Sequence, residues 1–174
     1  CEMDQLIKKV NEAAKRKRDQ EEKIMDACAA PGGKTAYIDF LTKGGPEIKA
    51  FDLDPARVER MKEGMHSLGA DRINVSTGDM SVAAEDDEKY DAILLDVPCS
   101  GLGTSQRRPE IKLRHVKNDS IADLQAKILH SMPGRLRPGG RIIYGTCTLT
   151  YRENTGQVIR FLEENPLFSL EKEK

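Results

Sequence analysis

Tryptophan is absent from the 174 residues, and 4 Phe with 4 Tyr bring the aromatic share to only 5%. Tyr37, Tyr144 and the phenylalanines read as core residues, which leaves little aromatic surface on which nucleic-acid bases could stack. The 3 histidines, His66, His115 and His130, are scattered. They form no metal-ligand cluster, so no metal is expected, and His66 and His130 read as helix-surface residues. Of the 4 cysteines, Cys1, Cys28, Cys99 and Cys147, no two make a C-x-x-C. That fits neither a zinc site nor a dense secreted disulfide framework. No apolar run approaches the roughly 20 residues of a bilayer-crossing helix. The opening CEMDQLIKKV also lacks the basic-then-apolar layout of a signal peptide. A reducing, cytoplasmic compartment is the expectation, with no membrane partner. An excess of one charge is missing too: 28 Lys+Arg against 29 Asp+Glu leave a net −1, so bulk charge says nothing about nucleic acid.

What is present is 38% hydrophobic residues in a chain of ordinary domain length, enough to bury a core without metal or disulfide staples. Glu2 to Glu22 is polar, with Leu6, Ile7, Val10, Ala13 and Ala14 at helical spacing, and reads as one amphipathic helix. The division expected is thus residues 1–22 as an N-terminal helix and 23–174 as one α/β domain. From residue 24 onward strand and helix signals alternate, the pattern of a largely parallel sheet. Strands are expected at Lys23 to Ala27, Glu47 to Asp52, Arg72 to Thr77, Asp91 to Asp96 and Arg141 to Gly145. Helices are expected at Thr35 to Thr42, Pro55 to Leu68, Ser120 to Leu136 and Arg152 to Glu163. Asp54 and Pro55 make a helix start, and Gly69 a stop. Pro133 and Gly134 predict that the third helix breaks near Ser131.

The first strand runs into Asp26-Ala-Cys-Ala-Ala-Pro-Gly-Gly-Lys-Thr35, a glycine-rich turn that opens a helix. Such a turn holds either a phosphate or an adenosine cofactor. Gly33-Lys34-Thr35 and Asp96 nearly complete a P-loop, but Cys28 stands where its first glycine belongs, which makes an NTPase the weaker alternative. Asp52 lies twenty residues beyond Gly32, where a doubly wound fold places the carboxylate that accepts from a ribose diol. Asp79 ends the third strand, in reach of an adenine amino group. Any one of these acids reads equally as a strand-end turn former. Three sites at successive strand ends, the glycine-rich turn, Asp52 and Asp79, favour a neutral or cationic cofactor without phosphate, and S-adenosylmethionine fits. Cys99, in Asp96-Val-Pro-Cys-Ser-Gly101, and Cys147, in Gly145-Thr-Cys-Thr148, sit just past strand carboxyl ends, where α/β folds keep their active sites. Two thiols there, flanked by Pro, Ser, Gly and Thr, favour a nucleophile over core packing.

The combination Ala-Ala-Pro-Gly-Gly-Lys-Thr, Asp-Val-Pro-Cys-Ser-Gly and Gly-Thr-Cys-Thr resembles the Sun/Nop-type RNA cytosine-C5 methyltransferases, whose bacterial branch includes the Fmu/Sun ribosomal RNA enzyme. The similarity extends over about residues 24 to 165, through Arg107-Arg-Pro-Glu-Ile-Lys112 and the Glu153-Asn154 pair. It implies a Rossmann-like methyltransferase core with helices on both faces of the sheet. It further implies that Cys28, Ala29, Ala30, Pro31, Gly32, Gly33 and Lys34, with Asp52, Asp79 and Asp96, hold S-adenosylmethionine. Cys147 would be the nucleophile, and Cys99 would assist product release. Against that family the chain is expected to be trimmed at both ends, without an upstream RNA-binding module or a closing pair of strands.

Carbon 5 of cytosine is too electron-poor to attack a sulfonium methyl unaided, and a thiolate adding at carbon 6 turns the ring into an enamine that can. Asp96, if it carries a proton, is the candidate to hydrogen-bond N3 of the base. From Thr104 to Lys117 five basic residues, Arg107, Arg108, Lys112, Arg114 and Lys117, face one acid, Glu110. Beside Cys99 that run is a reasonable phosphate track for RNA. Lys15-Arg16-Lys17-Arg18 alternates with acids further on, and a solvated helix face explains it equally well. Ribosomal RNA is the first expected substrate, transfer RNA the second, and the protein is expected to be monomeric. A noncatalytic module that binds cofactor and RNA is the alternative from another class.

Overall fold

The computed structural model describes residues 22–83, 87–107, 110–111 and 118–171. The expected N-terminal helix therefore lies outside the described residues, as do Arg108, Lys112, Arg114 and Lys117. Five strands form one parallel sheet: β1 (Lys23–Asp26), β2 (Glu47–Asp52), β3 (Asn74–Thr77), β4 (Tyr90–Asp96) and β5 (Leu136–Gly145), in the order β3-β2-β1-β4-β5. Four α-helices connect or follow them: α1 (Gly33–Thr42), α2 (Pro55–Ser67), α3 (Asn118–Ser131) and α4 (Thr155–Glu164). No helix among the described residues is long and apolar enough to cross a membrane.

The strands are central because their side chains are apolar on both faces. In β4, Ala92, Ile93, Leu94 and Leu95 are all buried in succession. Alternate residues enter different cores: Ile24, Ile48, Ala92 and Leu94 pack with Ile38 of α1 and Val58, Met61 and Met65 of α2. Met25, Ile93 and Leu95 pack on the other face with Ile128 and Leu129 of α3 and Phe161 of α4. The result is three layers, helices covering both sheet faces. Strand order reverses direction between β1 and β4, the switch point where a doubly wound fold opens a crevice at its carboxyl edge.

Helix α2 begins where Asp54 and Pro55 predict: the Asp54 carboxylate accepts from the backbone N–H groups of Ala56 and Arg57. Helix α3 ends at Ser131, and Pro133–Arg135 forms a single 3-10 turn. Strand β5 is longer than expected. Tyr90 pairs with Leu136 and Ala92 with Arg141, so the intervening Arg137 to Gly140 is looped out of the ladder. Tyr37 and Phe40 correct the expectation that they are core residues, being 40% and 74% exposed. Three residues apart on α1, they share its outer face and stack on each other while Ile38 turns inward.

Candidate active site

The turn after β1 is held from below. Ala29 N–H donates to the Phe51 carbonyl at 2.8 Å and Gly32 N–H to the Ala29 carbonyl at 2.7 Å. The Asp52 carboxylate accepts from Ala30 N–H at 3.3 Å and from Asp54 N–H at 3.1 Å, and Arg57 pairs with it while donating to the Ala30 carbonyl at 2.7 Å. Gly32 has φ +99°, and a Cβ there would lie 2.5 Å from Cε of Met65. Only glycine suits both the left-handed backbone and the close approach. At Gly33, by contrast, a Cβ would meet nothing within 4 Å.

Above this turn opens a cavity of about 460 Å³, lined by Cys28, Ala29, Ala30, Pro31, Gly33 and Lys34 together with Asp26, Tyr37 and Asp96. Lys34 Nζ donates to Asp96 Oδ2 at 2.5 Å. Asp26, only 1% exposed, accepts from Thr35 Oγ1 at 2.7 Å through Oδ2, while its Oδ1 is buried without a hydrogen-bond partner. Burial pushes the Asp26 carboxyl up to about 6, against the pull of the Thr35 hydrogen bond and with help from the charge of Asp96. Burial, reinforced by the carboxylates of Asp26, Asp52 and Asp96, likewise pushes the Cys28 thiol up to about 12. Cys28 therefore stays neutral and serves as wall rather than nucleophile.

Gly32, Asp52 and Asp79 are not among the residues lining this cavity. Asp79 is exposed, and its carboxylate accepts from Ser81 N–H at 2.8 Å and Ser81 Oγ at 2.6 Å, hydrogen bonds that hold it below its ordinary value.

The sheet register brings the two cysteines together. Asp96 pairs with Gly145, so Cys99 and Cys147 follow three and two residues beyond neighbouring strand ends. Their Cα atoms are 6.4 Å apart and their sulfurs are in contact. Cys147 N–H also donates to the Cys99 sulfur at 3.3 Å. The 3-10 turn Leu102–Thr104 is tied to the same point, Gly103 N–H donating to the Cys147 carbonyl at 3.0 Å. Arg107, exposed, follows directly on this turn, its N–H donating to the Thr104 carbonyl at 2.9 Å.

Beneath the cysteines lies a buried polar cluster. The Glu153 carboxylate, 1% exposed, accepts from Ser100 N–H at 2.7 Å, Thr150 Oγ1 at 3.0 Å and Gln125 Nε2 at 3.3 Å. Gln125 Nε2 also donates to the Pro98 carbonyl at 2.8 Å, the Ser100 and Thr148 hydroxyls are 3.0 Å apart, and the Tyr144 hydroxyl donates to the Glu153 carbonyl at 2.9 Å. Burial alone would raise the Glu153 carboxyl, but the hydrogen bonds from Ser100, Thr150 and Gln125 outweigh it and hold the group below its ordinary value.

Sequence reasoning missed Asp26, Tyr37, Arg57, Gln125 and Glu153 as parts of this region. Asp26 offered the one usable signal, an acid ending an apolar strand immediately before a glycine-rich turn. Glu153 was marked only as half of the Glu153-Asn154 pair that extends the resemblance, without a role; nothing local marks Tyr37, Arg57 or Gln125, whose places depend on packing between distant segments.

The family described as 16S rRNA methyltransferase RsmB/F matches residues 14–174. The probable ribosomal RNA small subunit methyltransferase B of Bacillus subtilis is 38% identical over 160 residues, which span 87% of this chain and 36% of that protein. Ribosomal RNA small subunit methyltransferase B of Vibrio cholerae is 41% identical over 149 residues, 83% of this chain and 34% of that one. The chain thus spans about a third of the length of these relatives. Among solved structures, NSun6 from Pyrococcus horikoshii with SFG superposes with a TM-score of 0.77 at 33% identity, covering 91% of this chain and 40% of its own. A methyltransferase homologue from the same organism gives 0.67 at 32% identity, covering 84% and 46%. With all but its first 13 residues inside the matched segment, the chain belongs to the 16S rRNA methyltransferase RsmB/F family.

Proposed function

We propose that this chain transfers a methyl group from S-adenosylmethionine to carbon 5 of a cytosine in structured RNA, ribosomal RNA first and transfer RNA second. The observation that carries the reading is the meeting of Cys99 and Cys147 at neighbouring strand ends, three and two residues beyond the register pair formed by Asp96, a lining residue of the cavity, and Gly145. The names of its relatives, ribosomal RNA small subunit methyltransferases, support the RNA class.

The cavity suits the cofactor on its own terms. Its volume is that of a small-molecule site. The open space over Gly33 admits a ligand close to the backbone. Lys34 is already paired with Asp96, so the lining offers no surplus cation for a phosphate chain, and the NTPase alternative loses its main support. S-adenosylmethionine, when bound, supplies an electrophilic methyl group. Residues Cys28 to Lys34 would cradle it, with Asp26 and Asp96 as its polar contacts and Asp52 fixing the loop from below.

Toward the RNA, Cys147 as thiolate adds to carbon 6 of the base, and the ring electrons move to carbon 5. Asp96 is assigned, in its protonated form, to donate a hydrogen bond to N3 as charge develops there. After methylation Cys99 takes the proton from carbon 5, the carbon-sulfur bond to Cys147 breaks, and the aromatic ring is restored. Both sulfurs act reduced. A paired cytosine is beyond their reach, so the target is unpaired or flipped. Arg107 begins the basic track that would carry the phosphates.

Incubation of the reduced chain with total ribosomal RNA and methyl-labelled S-adenosylmethionine, followed by mapping of 5-methylcytosine, tests the reading. Label is expected in RNA with wild type and absent with Cys147→Ala, whose affinity for S-adenosylhomocysteine stays within about twofold. Label in RNA at any atom other than cytosine carbon 5, or undiminished transfer by Cys147→Ala, overturns it.

A further inference from the structure

We propose that Glu153 is a positioning residue that sets the spacing of Cys99 and Cys147 by gripping both of their loops; the inference rests on the two-cysteine reading above. Its carboxylate touches neither sulfur, and Glu153 is not among the cavity lining. Its partners come from three separate elements. Ser100 lies one residue past Cys99, Thr150 three residues past Cys147, and Gln125, from α3, also holds Pro98 on the near side of Cys99. The residues directly following the two cysteines, Ser100 and Thr148, are hydrogen-bonded to each other, so the loops are joined above the carboxylate as well.

A buried charge is an expensive way to connect two loops, because taking a carboxylate out of water costs several kcal/mol unless its lone pairs are filled. Here three donors fill them, and two of the three are themselves attached to the cysteine loops. Stability alone is poorly served by this arrangement, since apolar residues of similar volume often do as well. Geometry is well served. Carbon 5 and carbon 6 are adjacent atoms of one ring, and the groups that address them must be held to within a fraction of an ångström.

The test uses the full 174-residue chain, reduced, and compares wild type with Glu153→Gln, which keeps the shape but points an amide N–H₂ at one of the donors. Phenylarsine oxide reports spacing, because it bridges two thiols only when both reach one arsenic; iodoacetamide reports each thiol singly. Glu153→Gln is expected to keep wild-type iodoacetamide labelling and affinity for S-adenosylhomocysteine. It is expected to slow arsenical bridging about tenfold and to lower kcat for RNA about 100-fold at unchanged KM, the loss that a misplacement near 1 Å produces. Wild-type bridging in a folded Glu153→Gln, or a parallel loss of cofactor affinity, overturns the proposal. Should that variant fail to fold, Thr150→Val removes one grip only. Slower bridging then supports the role and unchanged bridging overturns it. If wild type methylates no RNA, the functional reading falls while the bridging comparison still decides the role of Glu153.

Discussion

Cys99→Ala, on the reading above, leaves addition and methyl transfer intact and blocks release. The variant should accumulate a covalent RNA adduct that survives denaturing electrophoresis, and turnover without adduct would remove Cys99 from that role. Asp26 makes a prediction of a different kind. Its folded value of about 6 lies above the ordinary 3.8, so the native state holds the proton more tightly than the unfolded chain does. Stability is then lost as pH rises across that window, by about 3 kcal/mol in all. Asp26→Asn keeps the Thr35 contact and cannot ionise. In urea denaturation its advantage over wild type should widen from about pH 4 to about pH 6 and stay constant above, whereas a difference that is flat with pH contradicts the shift. The cysteines were legible because each follows a recognisable strand within a run of small polar residues. Asp26 was not, since a strand-end aspartate looks like a turn former until Thr35 and the layers above and below close over it.

At the scale of elements, local chemistry and tertiary pairing divide the outcome. Asp54-Pro55 fixed the start of α2 because capping is satisfied within four residues of chain. Asp54→Ala should cost about 1 kcal/mol in urea denaturation with cofactor affinity unchanged. Gly32→Ala should destabilise by about 2 kcal/mol and weaken S-adenosylhomocysteine binding in calorimetry, because the added methyl strains a left-handed backbone and meets Met61 and Met65. A substitution that lowers neither would place the cofactor elsewhere. The start of β5 escaped detection since Leu136-Arg-Pro-Gly-Gly140 reads as a helix tail and turn, and only the single pairing of Leu136 with Tyr90, ahead of the looped-out Arg137 to Gly140, extends the strand that far. Tyr37 and Phe40 were misread for the same kind of reason: composition marks them apolar, but the helical period sends them outward.

For the whole molecule, the alternation of apolar runs with helical stretches was enough to identify a parallel α/β sheet, and the resemblance to Sun/Nop enzymes agrees with the RsmB/F match. Helices on both faces were implied by that resemblance, as found; which helix covers which face was not legible in local pattern, because with crossovers of one hand it depends on the strand order. The two hydrophobic cores share single strands: Ile24 and Met25 are neighbours in β1 yet face opposite layers, as are Ile93 and Leu94 in β4. Neither core can open alone without tearing the other. Urea unfolding followed by far-ultraviolet dichroism and by tyrosine absorbance should therefore give superimposable transitions, and two separated midpoints would refute that coupling.

Neighbouring parallel strands run about 4.8 Å apart, so chemical groups leaving adjacent tips are delivered roughly one heterocycle's width from each other. The β4 and β5 tips, with Cα atoms of their cysteines 6.4 Å apart, inherit that measure. The gauge of the target is thus written into backbone architecture before any particular thiol is placed upon it.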